Sequence, residues 1–355
     1  MKKFFTLLLA VISTMTAFAQ TEPAIELQAE ADGNTRTFTI GLGVEGTVQI
    51  DWGNGEKVTS EVIPAFDGWN QVDVSGTVSG DGKVKIYGDN IVYFECSSRV
   101  DGAQVLSLDV TKATALKDLT ANANKLTSID LTKNTELEKL YININQLTSI
   151  DISKCTKLTT LDINNNLLTA IDITKNQALQ TLRIGQNKLT GELDLSTNPT
   201  IKSVYAQTNE LTSVKIGNNT ASKPTFSFNE NKLTSFDATG IKDAGNATLF
   251  LISNQLTEIT LPSAKMRILN IFKNNFTLAT LPAPTVAKTF NYAPQNNYVI
   301  AESYKVGDVL DLSSQTSATL NTQFAVYKSD KTALTEGTDY TVADGKITFL
   351  TAQDA

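Results

Sequence analysis

Aspartates that recur at a fixed interval are the residues of this chain whose spacing first suggests chemistry. Asp109, Asp130, Asp151 and Asp172 follow one another every 21 residues, and Asp194 follows one residue late. A stacked column of carboxylates could bind Ca²⁺, which prefers oxygen ligands. We favour a solvated stripe and expect neither a metal nor another cofactor, because the first four aspartates are each followed three residues later by a lysine: Lys112, Lys133, Lys154 and Lys175.

The other residue types that carry out catalysis are scarce. The chain has no histidine, which removes the usual general base and the commonest metal ligand. Its two cysteines, Cys96 and Cys155, are predicted to be buried structural thiols. Acid–base hydrolysis would need a pair of carboxylates in different environments within one cleft, and the sequence indicates none. We therefore predict that the chain is not an enzyme.

Three consecutive segments, beginning at Leu116, Leu137 and Leu158, repeat one 21-residue pattern. They read LKDLTANANKLTSIDLTKNTE, LEKLYININQLTSIDISKCTK and LTTLDINNNLLTAIDITKNQA. Apolar residues recur at positions 1, 4, 6, 11, 14 and 16, and asparagine recurs at position 9. The pattern L-x-x-L-x-L-x-x-N-x-L at a fixed period is the signature of a leucine-rich repeat. The chain therefore resembles leucine-rich repeat proteins.

Each repeat is predicted to form one coil of a right-handed β-rich solenoid with little or no α-helix. Positions 3 to 7 alternate between apolar and polar residues, which predicts short strands that stack at ~4.8 Å into a parallel sheet. The asparagine at position 9 supplies both a donor and an acceptor to the backbone of a buried turn. The return leg lacks a helical period. It is predicted to be extended or 3₁₀, with a second narrow sheet at positions 14 to 16 as an option.

The repeat pattern extends over residues 91–298 and gives about eight full coils. A degenerate coil precedes them, in which Arg99 stands where asparagine is expected. Cys96 falls at position 6 of that coil, and Cys155 falls at position 19 two coils later. That separation exceeds the Cα distance of ~7 Å that a disulfide allows. Both thiols are therefore predicted to be free.

Residues 1–19 contain two lysines, an apolar run and the sequence Ala17-Phe18-Ala19. These features predict a secretory signal peptide that is cleaved before Gln20. Cleavage would leave 28 basic and 37 acidic residues, a net charge of about −9, which disfavours nucleic acid and anionic membranes as partners. No second long apolar run follows, so no membrane span is predicted.

The segments on either side of the repeats alternate as β-strands do. Residues 20–90 are predicted to be a β-rich cap over the first coil, because terminal coils need a polar outer face; the alternative is an independent binding domain. Asn54-Gly55 and Asp81-Gly82 predict hairpin turns in this segment. Residues 299–355 are predicted to be an immunoglobulin-like β module with a hairpin at Asp344-Gly345. Its 57 residues are few for a sandwich of ~100, so the module is expected to be incomplete.

The order of signal peptide, β cap, repeats and β module resembles bacterial surface leucine-rich repeat proteins of the internalin type. The motif Asp51-Trp52-Gly53-Asn54-Gly55 also resembles a turn of bacterial surface β-sandwich modules. The resemblance implies a secreted or cell-surface adhesion protein. Its partner would be a protein on a host or neighbouring cell.

Outward positions 5 and 7 of the strands vary between coils, whereas the apolar framework repeats. Aromatic residues and arginine are enriched at binding hot spots, and an exposed apolar patch usually marks a contact surface. We predict a monomer whose concave face binds a partner protein; a carbohydrate is the alternative ligand. The candidate binding residues are Tyr141, Asp162, Arg183, Tyr205, Phe250, Ile252 and Phe272.

Overall fold

The structure is a computed structural model in which strands dominate. It describes residues 22–30, 33, 35–60, 62–68, 70–98, 104–277, 280–293, 295, 305–312, 326–328, 332–344 and 346–351. The predicted signal peptide and Arg99 lie outside these residues. The helices in the described part of the chain are two short 3₁₀ helices, Ala244–Asn246 and Pro284–Val286. Neither is long and apolar enough to cross a membrane.

The strands fall into one long sheet and several smaller ones. In chain order they are β1 (Ile25–Ala29), β2 (Thr35–Leu42), β3 (Gln49–Asp51), β4 (Lys57–Thr59), β5 (Val72–Thr77), β6 (Lys83–Tyr87), β7 (Ile91–Glu95), β8 (Val105–Asp109), β9 (Asp118–Thr120), β10 (Lys139–Tyr141), β11 (Thr160–Asp162), β12 (Thr181–Arg183), β13 (Thr190–Asp194), β14 (Ser203–Tyr205), β15 (Glu210–Lys215), β16 (Thr225–Ser227), β17 (Ser235–Asp237), β18 (Thr248–Phe250), β19 (Glu258–Thr260), β20 (Met266–Asn270), β21 (Ala287–Asn291), β22 (Val309–Asp311), β23 (Tyr340–Ala343) and β24 (Lys346–Phe349).

Positions 3 to 5 of successive coils form the parallel strands of the long sheet, as the alternation predicted. Leu140 of β10 aligns with Leu119 of β9 and Leu161 of β11, so the repeats stack in register. The sheet has 12 strands in the order β21-β20-β18-β16-β14-β12-β11-β10-β9-β7-β2-β5. Strand β21 begins a ninth coil. The stacking of parallel strands in register confirms the predicted solenoid fold. The coils begin at Leu116, Leu137, Leu158, Leu179, Ile201, Lys223, Asn246, Met266 and Ala287.

A column of buried asparagines at position 9 closes each turn. In every coil from Asn124 to Asn274, the side-chain N–H₂ donates to the position-6 carbonyl of the preceding coil at 2.8–3.1 Å. The same side chain's Oδ1 accepts the position-11 N–H of that coil at 2.8–3.1 Å. In the ninth coil Gln295 takes this role and donates to the carbonyls of Ile271 and Tyr292. The donor-and-acceptor role predicted for the asparagine is confirmed.

The residue before each asparagine has a left-handed backbone. At position 8 of eight successive coils, from Ala123 (56°) to Lys273 (57°), φ lies between 54° and 57°, and none of these residues is glycine. Left-handed backbone is unfavourable for residues with a Cβ. The hydrogen bonds of the asparagine that follows at position 9 offset this cost and stabilise the turn. The sequence pattern gave no sign of this conformation, because none of the eight residues is glycine.

The return legs form sheet only in part. Strand β13 pairs in parallel with β15, and β17 pairs with β19, so a second narrow sheet exists in the later coils as two separate pairs. The first three clear coils have no strand at positions 14 to 16, and there the option of a narrow sheet is wrong. The coil from Leu179 carries one extra residue at Thr190-Gly191-Glu192, which lengthens this leg.

The N-terminal strands bond to both legs of the degenerate coil. Strand β2 pairs antiparallel with β7 in the long sheet, and β1 pairs antiparallel with β8 in a second sheet of order β4-β3-β6-β1-β8. Phe38 and Trp52 stack with ring centroids 5.3 Å apart. One apolar core continues from Ala24 to Ala287. This is the bonding that a capping region requires, and the domain boundary at residue 90 stays a prediction.

The predicted hairpin turns have different outcomes. Asn54-Gly55 connects the antiparallel pair β3 and β4, as predicted. Asp81-Gly82 lies between β5 and β6, which belong to different sheets, so the hairpin predicted there is wrong: the turn crosses from one sheet to the other. The pair β23 and β24 brackets Asp344, as predicted for that hairpin.

Near the C-terminus, β22, β24 and β23 form a three-stranded antiparallel sheet. Its small core contains Tyr340, Ile347 and Phe349. Residues 313–325 lie outside the described part of the chain. The immunoglobulin-like assignment therefore stays a prediction.

Candidate binding surface

Five of the seven predicted binding residues lie in one register column across the long sheet. Tyr141 aligns with Asp162, Asp162 with Arg183, and Arg183 with Tyr205. Phe250 lies in the same column two strands further on. All five side chains are half-buried. Because strands lie ~4.8 Å apart, the first four span roughly 14 Å, which is the length of a short peptide segment.

Arg183 is the electrostatic centre of this column. Its Nη1 lies 3.9 Å from Oδ2 of Asp162, and its guanidinium lies 5.7 Å from the ring centroid of Tyr205. Burial raises the pKa of the Asp162 carboxyl, although the N–H of Asn164 and the Arg183 charge oppose that shift. The guanidinium makes no hydrogen bond within the described residues. It is therefore positioned by its neighbours and retains N–H groups that can donate to a ligand.

Position 3 forms a second outward column that the sequence analysis did not select. It continues from Lys139 as Thr160, Thr181, Ser203, Thr225 and the buried Thr248, and it ends with Ile268 and Thr289. The alternation that places position 5 on the outward face places position 3 there as well. The alternation of the sequence therefore also predicts that position 3 faces outward, but threonine and serine are not residue types enriched at binding hot spots.

The end of the sheet nearest the N-terminal strands carries charge. Asp118 is 8% exposed, and its Oδ2 accepts from Nζ of Lys139 at 3.4 Å. Its Oδ1 has no hydrogen bond within the described residues. Burial raises the pKa of this carboxyl. Beside it, Tyr93 stacks on Phe66 at 5.2 Å and donates its hydroxyl proton to Glu95 at 2.9 Å; burial and Glu95 raise the pKa of Tyr93.

Position 7 has a structural role that the sequence analysis did not foresee. The Oδ1 atoms of Asn122, Asn164 and Asn229 accept the position-7 N–H of the following coil at 3.0, 2.6 and 2.8 Å. Asparagine at this position therefore satisfies backbone groups, and its recurrence does not by itself indicate ligand contact.

The opposite end of the sheet is apolar and carries no charge at positions 3, 5 and 7. Phe250, Ile252 and Phe272 lie there, and Ile268 from the position-3 column lies beside them. The apolar patch that these residues were predicted to expose is only half-exposed, because each side chain is partly buried.

Two further apolar side chains lie on the asparagine-turn rim, which we define as positions 8 and 10 of the coils. Ile144 is 54% exposed and Leu167 is 38% exposed. Among the described residues between 110 and 305, these are the large apolar side chains with high exposure. Ile144 also has a left-handed φ of 54°, which costs roughly 1–2 kcal/mol for a side chain with a Cβ. Neither its exposure nor its backbone favours isoleucine.

The carboxylates of the aspartate column accept hydrogen bonds within backbone turns. The Oδ1 atoms of Asp130, Asp151 and Asp172 each accept the N–H two residues later at 2.9 Å. Hydrogen bonds from the hydroxyl and the N–H of that residue lower the pKa values of the carboxyls. The charges of Lys133, Lys154 and Lys175 also lower the pKa values of Asp130, Asp151 and Asp172, although no salt bridge joins these pairs within the described residues. Lys112 pairs with Glu22. No cluster of three or more metal-ligating side chains occurs in the described part of the chain.

Both cysteines are buried and free, as predicted. Burial raises the pKa of the Cys155 thiol to about 11 and that of Cys96 further. Cys155 lies in a second column of buried residues at position 19, where Asn134 and Asn176 each donate to carbonyls of the preceding coil. These thiols are structural.

Comparison with known proteins agrees with this geometry. Residues 135–175 match the family model of leucine-rich repeats in two copies. With the coil structure and the asparagine column, this match establishes that the chain carries leucine-rich repeats. Solenoids of this kind commonly use an extended surface to bind other proteins. No curated protein matches the chain.

Several solved structures are similar. The functional domain of InlJ from Listeria monocytogenes, which includes a cysteine ladder, is 26% identical; the match covers 64% of this chain and 56% of that one, with a TM-score of 0.39. A leucine-rich repeat protein of Leptospira interrogans is 16% identical, with 54% and 58% covered and a TM-score of 0.40. A plant ice-binding protein is 17% identical, with 58% and 87% covered and a TM-score of 0.33. The match thus spans little more than half the length of the InlJ domain and of the Leptospira protein.

Proposed function

We propose that the protein is a secreted or cell-surface bacterial adhesion protein. It binds a protein of a host or neighbouring cell through the concave, outward face of its long sheet. Residues 1–19 would direct its export, and the mature protein would act as a monomer.

The observation that carries this proposal is the position-5 column. Framework residues repeat in every coil, whereas this column places the half-exposed Tyr141, Arg183, Tyr205 and Phe250 in one line across the sheet, in register. Aromatic residues and arginine carry most of the energy in protein interfaces. A folding requirement alone would not select large, varied side chains on an outward face.

The test measures binding and folding on the same variants. A library of displayed surface proteins is screened with the full chain, and the affinity of the captured protein is then measured. We expect Tyr205→Ala and Phe250→Ala each to weaken binding about thirtyfold, the effect of losing ~2 kcal/mol. Their melting temperatures should change little. Asp151→Ala, on the return leg, is the control and should leave affinity unchanged.

Loss of folding in the aromatic variants, with binding retained by the folded fraction, would contradict the proposal. Those rings would then be core residues, and the partner would bind elsewhere. Full affinity in both folded variants would contradict it equally.

A carbohydrate ligand is the second candidate function, and the position-3 column favours it. Thr160, Thr181, Ser203 and Thr225 place half-buried hydroxyl groups at regular spacing beside the half-exposed Tyr205. Hydroxyl and amide groups on a shallow face suit sugars. A glycan array probed with the full chain separates the two candidates. Binding to one glycan class that Thr181→Val and Thr225→Val abolish would establish the carbohydrate candidate.

A further inference from the structure

The asparagine-turn rim holds an apolar side chain that the fold does not need. Ile144 is the isoleucine at position 8, with φ of 54° and 54% exposure. The same position in the next two coils holds Asn165 and Gln186, whose polar side chains suit an exposed turn. Isoleucine here is both strained and exposed, so folding stability does not explain it. Leu167, exposed at position 10 of the adjacent coil, extends the apolar surface.

The coil that follows places positive charge near this surface. Arg183 has an ion pair at 3.9 Å and a cation–π contact, but no hydrogen bond within the described residues. Lys188 of the same coil is exposed. The N–H groups of Leu167 and Lys188 donate to the carbonyls of Leu147 and Leu168, which are equivalent residues of successive coils. Leu167 and Lys188 therefore occupy the same position in neighbouring coils. Lys188 and Arg183 thus follow the apolar surface along the solenoid axis, with Glu210 of the next coil near Lys188.

The separation of the two features fits a peptide segment. Arg183 lies two coils from Ile144, roughly 10 Å along the axis, and three positions away along the strand direction, which is roughly 10 Å more. The diagonal is therefore roughly 14 Å. An extended chain covers that distance in about four residues, and its side chains at i and i+4 point to the same face.

We propose that the rim and Arg183 together bind an extended protein segment that presents an apolar side chain to Ile144 and Leu167 and, about four residues away, a carboxylate to Arg183. A carboxylate complements the guanidinium and Lys188, and an aliphatic side chain complements the rim. A sugar has no aliphatic side chain to contact the rim. This inference rests on the proposed binding function, and it adds an anchor in coils two to four to those at Tyr205 and Phe250.

The test uses phage-displayed random peptides of 12 residues, selected on the full-length protein. Selected peptides should carry Leu, Ile or Phe four residues from Asp or Glu. A synthetic peptide from the selection should lose at least tenfold in affinity for Ile144→Asn and for Arg183→Gln, measured by fluorescence anisotropy. Asparagine tolerates left-handed backbone, so the melting temperature of Ile144→Asn should be unchanged or higher. Weaker binding then cannot result from unfolding.

Matched controls separate the site from general effects. Thr208→Asn changes a β-branched residue at the same left-handed position three coils further on, and Lys232→Gln removes one positive charge from a more distant rim position. Both should bind the peptide as the parent does. Arg183→Lys keeps the charge but not the planar fork, and it should bind with intermediate affinity.

The outcomes distinguish this inference from the proposed function. Peptides that bind, and that Phe250→Ala or Tyr205→Ala weakens while Ile144→Asn and Arg183→Gln do not, overturn the inference and leave the proposed function standing. No enrichment of any peptide, or peptide binding insensitive to all four substitutions, overturns the inference alone; the proposed function is overturned only when the captured protein partner binds Tyr205→Ala and Phe250→Ala with full affinity.

Discussion

Removing one asparagine from the position-9 column should cost more stability than removing a half-exposed asparagine two residues away. Asn145 donates to the carbonyl of Ala121 at 2.9 Å and accepts the N–H of Leu126 at 3.0 Å. Asn145→Ala leaves both backbone groups buried without these partners. Each such group costs roughly 1–3 kcal/mol, so the expected loss is about 4 kcal/mol. That is a large fraction of the 5–15 kcal/mol by which native domains are typically stable.

The matched control is Asn143→Ala at position 7 of the same coil. Its backbone N–H is bonded to Asn122, and its side chain is half-exposed, so the expected loss is about 1 kcal/mol or less. Urea denaturation followed by far-ultraviolet circular dichroism measures both losses, since the midpoint shifts with the free energy of unfolding. Equal losses for the two variants would refute the structural role assigned to the column.

Two further predictions concern titratable groups. Because burial raises the thiol pKa of Cys155 to about 11 and that of Cys96 further, a thiol reagent at neutral pH should react slowly with the native protein. After denaturation without reductant it should find two thiols per chain; fewer would indicate a disulfide. The folded-state pKa of Asp118 is raised, so folding favours its protonated form, and that contribution to stability is lost as pH rises above the unfolded value of about 3.9. The melting temperature of Asp118→Asn should therefore be higher than that of the parent at pH 7 and equal to it at pH 3. An unchanged or lower melting temperature at pH 7 would contradict the cost assigned to burying the Asp118 carboxylate.

The sequence was sufficient to predict the coil because the repeat encodes it several times over. Leu140, Ile142 and Leu147 recur as apolar positions, and Asn145 recurs as the turn residue; a register error would have misplaced all of them. The same redundancy predicted the position-5 column, because a period of two residues along the strand fixes which side chains point outward.

Features set by contacts between coils were not predictable from one repeat. The left-handed backbone at Ile144 was not predictable because the residue is not glycine, the type that usually indicates a positive φ. The half-burial of Phe250 depends on neighbouring coils. The partner of Asp151 is a backbone N–H two residues on rather than the lysine at the third residue, because the short bond within the turn is made without ordering a long side chain. The β1–β8 pairing joins residues far apart in sequence, and alternation alone does not specify which strands pair.

Site-specific photo-crosslinking tests the central claim that the partner binds the outward face of the long sheet. The photoreactive residue p-benzoylphenylalanine is placed in one variant at Tyr205, on that face, and in another at Asp151, exposed on the return leg. Each variant is irradiated with the partner protein captured in the display screen. Crosslinked partner is expected from position 205 and not from position 151. Crosslinks from position 151 alone would show that the partner binds the return side, and would contradict the account.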